Sequence, residues 1–217
     1  MSERYAFEEL PIEPITPGTT LLVAGPTHAG TANLGMRLLA RPSDEGAIFV
    51  TTNKRAARLA TDCDRLGVGF SLDTTGVVDC VGQDDDSTRA HVVPVSGPAD
   101  LTGIGMRYSD LYRKLAAGGV DRVRTGLYSV STLLSFGELR PVSRFVHTLT
   151  GRIDSVGGLG VLLIDPAAHD ERTIRTVAQF CDGRLDVREG DAGPELRARG
   201  YPEAQGVWTP FNTTPEP

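Results

Sequence analysis

The chain has 217 residues and a formal net charge of −6, with 28 acidic and 22 basic side chains. This acidic balance argues against nucleic acid as a general partner. With 40% hydrophobic residues and no apolar run near the ~20 residues that span a bilayer, the composition excludes disordered and membrane-spanning classes.

The amino-terminal extension, residues 1–15, is acidic and lacks both the basic and the apolar region of a signal peptide. We therefore expect a cytoplasmic protein. The three cysteines are isolated, with no C-x-x-C pair, so they predict neither a disulfide framework nor a zinc site.

The first predicted strand, residues 19–24, leads into a glycine-containing loop and a helix. Gly25 and Gly30 have the spacing of the two glycines of a phosphate-binding P-loop, G-x-x-x-x-G-K-[ST]. Thr31 stands where the lysine is expected and Ala32 where the magnesium-binding hydroxyl is expected. The sequence therefore predicts a vestigial phosphate loop, whose candidate residues are Gly25, Thr27, His28, Gly30 and Thr31.

Strands and helices alternate along the rest of the chain. Further strands are predicted at residues 47–51, 77–81, 91–95, 123–130 and 159–164. Helices are predicted at residues 54–66, 104–117, 132–136, 141–156 and 170 to about 181. Residues 183–189 and 195–199 are expected to close the sheet as an antiparallel hairpin. The alternation predicts an α/β three-layer sandwich with a mostly parallel sheet.

Two acidic segments raise the question of a metal site. Residues 82–87 form a polar, acidic stretch, for which a solvated loop is favoured over a cation site. Asp165, His169 and Asp170 are close in sequence, but we favour a loop in which Asp170 caps the next helix. No metal site is predicted.

The carboxyl-terminal residues 201–217 are rich in proline and predict an extended tail without regular structure. We expect Trp208 and Phe211 to pack onto the body, although an apolar hook for a partner is the alternative. The predicted organisation is an extension at 1–15, one domain at 16–200 and the tail at 201–217.

Four segments in this order resemble the RecA superfamily, in its KaiC and RadA-like branch and the small haloarchaeal relatives with degenerate Walker motifs. They are residues 17–25, 125–134, 158–166 and 180–187. The resemblance implies a RecA-like sheet and an archaeal protein that assembles side by side with similar domains. Basic charge carried almost wholly by arginine is typical of halophilic proteins, and a GC-rich genome explains it equally well.

The resemblance aligns residues 127–131 with the Walker B strand and puts Tyr128 at the position of its acid. A phenol with a pKa near ~10 is neutral at pH 7 and cannot replace a carboxylate that positions Mg²⁺. Pattern alone instead favours residues 161–165 as Walker B, with Asp165 as the acid. We favour the alignment on Tyr128.

These features predict a pseudo-ATPase with a regulatory or scaffolding role and no cofactor. Its expected partners are another protein or further copies of the chain. One alternative is weak binding of ATP, ADP or phosphate by the backbone N–H groups of residues 27–31. Another is an ATPase rebuilt around Asp165 with an arginine or lysine from a neighbouring subunit. A nucleic-acid role would require several arginines to converge on one face: Arg107, Arg113, Arg122 and Arg124.

Overall fold

A computed structural model describes residues 4–7, 9–82 and 88–214. Within them the strands are β1 (Thr20–Ala24), β2 (Gly46–Thr51), β3 (Thr75–Asp79), β4 (His91–Pro94), β5 (Val123–Tyr128), β6 (Leu159–Ile164), β7 (Gly183–Gly190), β8 (Gly193–Arg199) and β9 (Thr209–Pro210). The α-helices are α1 (Thr31–Leu38), α2 (Ala56–Arg65), α3 (Leu101–Ala117), α4 (Val130–Phe136), α5 (Leu139–Ser155) and α6 (Glu171–Ala178).

All these strands belong to one sheet, in the order β4-β3-β2-β5-β6-β1-β7-β8-β9. The strands from β4 to β7 are parallel, whereas β8 pairs antiparallel with both β7 and β9. The predicted α/β fold, with a mostly parallel sheet and a carboxyl-terminal antiparallel hairpin, is confirmed. The central strands β1, β5 and β6 are buried along their whole length because helices cover both of their faces, and β6 is apolar throughout.

Alternate residues of the central strands supply two hydrophobic cores. Leu21 and Val23 of β1 pack with the buried residues of α1 and α2, while Leu22 and Ala24 pack with those of α3 to α6. The period of two along a strand explains this division. The sheet is therefore the middle of three layers, and the carboxyl ends of its parallel strands open on one edge.

The amino-terminal extension is held against the opposite, amino-terminal edge of the sheet. Tyr5 forms an antiparallel bridge with Ile15, and both side chains are buried. The guanidinium of Arg124 donates hydrogen bonds to the carbonyl oxygens of Ala6 and Leu38. One buried arginine thus ties the extension to the end of α1.

The tail departs from the expectation of no regular structure. Thr209 and Pro210 form β9, which pairs with β8 through Glu195 and Leu196. A proline is tolerated there because an edge strand has N–H groups that need no partner in the sheet. The expected packing of Phe211 and Trp208 is confirmed. The Phe211 ring is buried, and the Trp208 ring makes cation–π contacts with Arg188 and Arg197, at 4.1 and 4.5 Å from its centroid.

Two further sequence expectations concern the acidic stretch and membrane-spanning segments. The acidic stretch at residues 83–87 lies outside the described residues. Within the described parts of the chain, no helix is both long and apolar enough to cross a membrane.

Candidate functional site

A cavity of about 130 Å³ opens where the carboxyl ends of β1, β2, β5 and β6 meet. Ligands of open α/β sheets bind at this edge. The predicted loop contributes Gly25, Thr27 and Thr31 to its wall, and β5 contributes Tyr128. The structure therefore brings part of the predicted phosphate loop together with both candidate Walker B residues, since Asp165 also lines the cavity.

The loop after β1 is tightly folded. A Cβ atom on Gly25 would lie 2.7 Å from the Thr31 Oγ1 atom and 2.8 Å from the Val187 carbonyl oxygen, so only glycine fits. Thr27–Ala29 form a 3-10 turn, and Gly30 has a left-handed φ of 77° immediately before α1 begins. The spacing of the two glycines therefore reflects real steric requirements of this turn.

Thr31 turns its hydroxyl back into the loop. Its side chain is buried, and Oγ1 donates a 2.8 Å hydrogen bond to the carbonyl oxygen of Pro26. In a P-loop, the residue at this position is a lysine whose ammonium reaches the phosphates. Here the side chain at that position closes the loop on itself.

Thr27 and His28 lie on the exposed side of the same turn. The Thr27 hydroxyl donates to Asp165 Oδ2 over 3.4 Å, which is long for a hydrogen bond between oxygens. Of the five predicted loop residues, His28 and Gly30 do not line the cavity.

Tyr128 ends β5, and Thr52 fixes the backbone there. The Thr52 hydroxyl donates to the Tyr128 carbonyl oxygen at 2.7 Å and accepts from the Ser129 N–H at 2.6 Å. The Tyr128 hydroxyl is buried and has no hydrogen-bond partner among the described residues. Burial raises the pKa of this phenol well above its usual value, so it stays neutral and offers no charge to a metal ion.

Asp165 follows β6, the strand next to β1, whereas Tyr128 ends the strand beyond it. The Asp165 carboxylate accepts a 2.9 Å hydrogen bond from the Ala167 N–H and so caps a short 3-10 turn. The predicted capping role of Asp170 is confirmed, because it accepts from the Thr173 N–H at 2.7 Å and this bond lowers its pKa. Across the described residues, no group of three or more His, Cys, Asp or Glu side chains is placed to hold a metal ion.

The sequence matches one protein family over most of its length. Residues 18–187 match a family described as a family of unknown function (DUF7504). The chain belongs to this family. The match runs from the residues before β1 into β7, so it contains the loop, Tyr128 and Asp165 and leaves out β9. No curated protein sequence matches the chain.

Solved structures share its fold. The KaiC-like protein PH0186 from Pyrococcus horikoshii OT3 has a TM-score of 0.68 at 19% identity, covering 96% of this chain and 93% of that one. The uncharacterised protein PH0321 from Pyrococcus horikoshii, solved with an unknown peptide, has a TM-score of 0.71 at 16% identity, covering 98% and 96%. The flagellar accessory protein FlaH from Methanocaldococcus jannaschii has a TM-score of 0.59 at 14% identity, covering 95% and 91%. The predicted RecA-like fold is confirmed.

Lys54 is a residue of the cavity wall that sequence reasoning missed. It lines the cavity just after β2, and its ammonium contacts Asp62 Oδ2 of α2 at 2.7 Å. The charged side chains of the cavity wall are thus one lysine, already ion-paired, and Asp165. The signal available in the sequence was the rarity of lysine, since Lys54 and Lys114 are the only two in the chain.

The arginines named for a nucleic-acid role do not converge. Arg107 and Arg113 form ion pairs with Asp110 on the surface of α3. Arg122 and Arg124 instead pair with Glu45, and the Arg124 side chain is only 1% exposed. These four arginines therefore do not form one basic face.

Proposed function

We propose that this chain is a RecA/KaiC-like domain that does not hydrolyse ATP and acts as a regulatory or scaffolding protein. The observation that carries the proposal is the hydrogen bond from the Thr31 hydroxyl to the Pro26 carbonyl oxygen. It places a short neutral group, directed into its own loop, where a phosphate-binding ammonium would be needed. A triphosphate at this loop would keep most of its negative charge unneutralised.

The chemistry of the cavity supports the same proposal. Phosphoryl transfer needs a bound metal ion and a group that orients the attacking nucleophile. Tyr128 supplies a neutral phenol, and the Asp165 carboxylate already accepts a backbone N–H. Lys54 lies in the wall, but Asp62 holds its ammonium. The cavity therefore lacks an evident metal-binding pair of oxygen anions.

The descriptions of two structurally similar proteins support a role in binding other proteins. PH0321 was solved in complex with an unknown peptide, and FlaH is described as an accessory protein. The RecA-like resemblance also implies assembly side by side. We therefore propose that this chain acts in the cytoplasm by binding a protein partner or further copies of itself. We also propose that the host is a halophile, for which the net charge of −6 is the supporting observation.

Isothermal titration with Mg-ATP in molar KCl tests the proposal. We expect no heat of binding at ATP concentrations up to about 1 mM, where an affinity near 1 μM would be obvious. Magnesium-dependent binding in the micromolar range would contradict it. A variant with Thr31→Lys and Ala32→Thr restores the two missing groups, so tighter nucleotide binding by this variant would show that their loss decides the result.

Weak phosphate binding is the second candidate, and the exposed turn at Thr27 and His28 favours it. Its N–H groups precede the amino terminus of α1, where anions are stabilised. The same titration with ADP in the absence of magnesium separates the two candidates. Millimolar binding that does not depend on magnesium supports phosphate binding without hydrolysis.

A further inference from the structure

A groove of about 470 Å³ lies between α3 and α5, on the helical layer that does not carry the loop after β1. Its apolar wall includes Leu101, Phe145 and Leu149. Met106 stands beside them with 64% of its surface exposed. A flexible, exposed methionine next to an apolar wall is suited to contact a partner side chain.

Arginines border this apolar wall. Arg140 and Arg144 lie one turn apart on exposed positions of α5. In the parts of the chain that the structure describes, neither forms an ion pair, whereas Arg107 and Arg113 on α3 both pair with Asp110. Two guanidinium groups without a carboxylate partner, in a chain of net charge −6, mark this groove as locally basic.

Arg152 extends the basic border and is already oriented. Its Nη1 group donates to the Gly105 carbonyl oxygen at 2.8 Å and also bonds to the Ser109 hydroxyl. Both acceptors are neutral, so the positive charge of Arg152 is not compensated by these contacts. The groove therefore combines an apolar wall with cationic groups that have no anion of their own.

We propose that the groove between α3 and α5 binds an acidic peptide segment of a partner protein, with an apolar side chain of that segment against Met106 and Phe145. Carboxylates of the segment would accept hydrogen bonds from Arg140 and Arg144, which can bind them in a bidentate manner. The inference rests on one part of the proposed function, the binding of a protein partner. It adds the surface that binds this partner and the acidic, apolar character of the bound segment. It does not depend on the nucleotide site.

Fluorescence anisotropy with three labelled 14-residue peptides tests this inference in 1 M KCl. The first peptide contains only glutamate and leucine, the second has lysine in place of glutamate, and the third has serine in place of leucine. We expect the glutamate–leucine peptide to bind with a Kd of order 10–100 μM and both others at least about tenfold more weakly.

Two variants locate the binding. Arg140→Glu combined with Arg144→Glu should weaken the glutamate–leucine peptide by about tenfold, because the replaced groups then repel its carboxylates. Arg172→Glu is the matched control, since Arg172 is an exposed arginine of α6 without an ion pair among the described residues. This control should change the Kd by less than about twofold.

The inference is overturned if the glutamate–leucine peptide does not bind, or if the Arg140 and Arg144 variant and the Arg172 variant bind it equally. It is also overturned if a single-stranded oligonucleotide binds in an Arg140-dependent manner and the peptide does not. The ATP titration is independent of this assay. A failure here leaves the loss of ATP hydrolysis untouched, and ATP binding leaves the groove result untouched.

Discussion

The two edges of the parallel sheet differ in the charged side chains that they contain. At the amino-terminal edge, the buried Glu45 carboxylate binds Arg122 at 2.9 Å and Arg124 at 2.7 Å. Arg122 also stacks on the ring of Tyr5, 4.2 Å from its centroid. We call these four residues the Glu45 cluster. At the carboxyl-terminal edge, the positions expected for the P-loop lysine and the Walker B acid hold neutral Thr31 and Tyr128, and the charged residues of the cavity wall are Lys54 and Asp165.

This difference shows where buried ion pairs stabilise this RecA-like fold. An ion pair in the interior is maintained only when each charge has a close partner and its hydrogen bonds are satisfied. The Glu45 cluster meets this condition and fastens the amino-terminal extension. At the other edge, the Lys54 ammonium pairs with the buried Asp62 carboxylate outside the cavity wall, and Asp165, the carboxylate of the wall, forms no ion pair among the described residues. Each prediction below tests one edge against the other.

The largest effect is expected for Glu45→Ala. It leaves Arg124, whose side chain is 1% exposed, with an uncompensated charge. We expect the free energy of unfolding to fall by about 3–5 kcal/mol in denaturant titration. Glu171→Ala, which removes an exposed pair with Arg175, is the control and should cost less than about 0.5 kcal/mol. Equal losses in the two variants would refute the stabilising role assigned to the buried Glu45 carboxylate.

Tyr5 adds a pH dependence to the amino-terminal edge. Burial raises the pKa of its hydroxyl to about 12, against the opposing effect of Arg122, and this hydroxyl donates to the Gly157 carbonyl oxygen at 3.0 Å. Because the folded pKa lies above the unfolded value near ~10, the stabilisation is complete below pH 10 and is lost as the pH rises towards 12.

The Tyr5→Phe variant isolates this contribution. At pH 9 it should be less stable than the parent chain by about 1 kcal/mol, the value of the lost hydrogen bond. Between pH 10 and 12 the parent should lose about 2 kcal/mol more than the variant, so the difference shrinks and reverses. Parallel stability curves for the two proteins over this range would contradict the assigned role of Tyr5.

At the other edge, Thr31→Val removes the hydroxyl that closes the loop and keeps the shape of the side chain. The Pro26 carbonyl oxygen then loses its 2.8 Å partner, and we expect a loss of about 1 kcal/mol in unfolding free energy. Thr27→Val is the matched control, because its 3.4 Å contact with Asp165 is exposed and weak. A larger loss in the control would mean that Thr27, and not Thr31, holds the loop.

The smallest effect is expected for Tyr128→Phe, which deletes a buried hydroxyl without a described partner. Stability should stay the same or rise by up to about 1 kcal/mol, since no hydrogen bond is lost. Tyr108→Phe provides the comparison, because the Tyr108 hydroxyl lies 3.1 Å from Thr125 Oγ1, and should lose about 1 kcal/mol. Thermal melts of both variants measure these changes. A loss of stability in Tyr128→Phe would instead indicate that a bound group contacts the Tyr128 hydroxyl.

The sequence was sufficient for the local features of this molecule. The spacing of Gly25 and Gly30 predicted the turn before α1, and Asp170 was recognised as a helix cap. Alternating apolar segments predicted the sheet and its terminal hairpin, because periodicity and turn residues act over short distances. Those signals depend on neighbours in the chain.

Contacts between distant parts of the chain could not be predicted in the same way. The Glu45 cluster joins residues from the extension, from before β2 and from β5, and the pairing of β9 depends on the edge that β8 presents. Even the short Thr31 to Pro26 bond depends on a side-chain rotamer that spacing does not specify. The sequence therefore showed which residue occupies each motif position, but it could not predict the direction of that residue's side chain.

Release of inorganic phosphate from Mg-ATP in molar KCl tests the central claim most directly. The account predicts release no faster than in buffer alone, because the loop lacks its ammonium and Tyr128 offers no metal-binding charge. Release above that rate by the parent chain, abolished by Asp165→Asn, would contradict it and establish Asp165 as part of an active ATPase site.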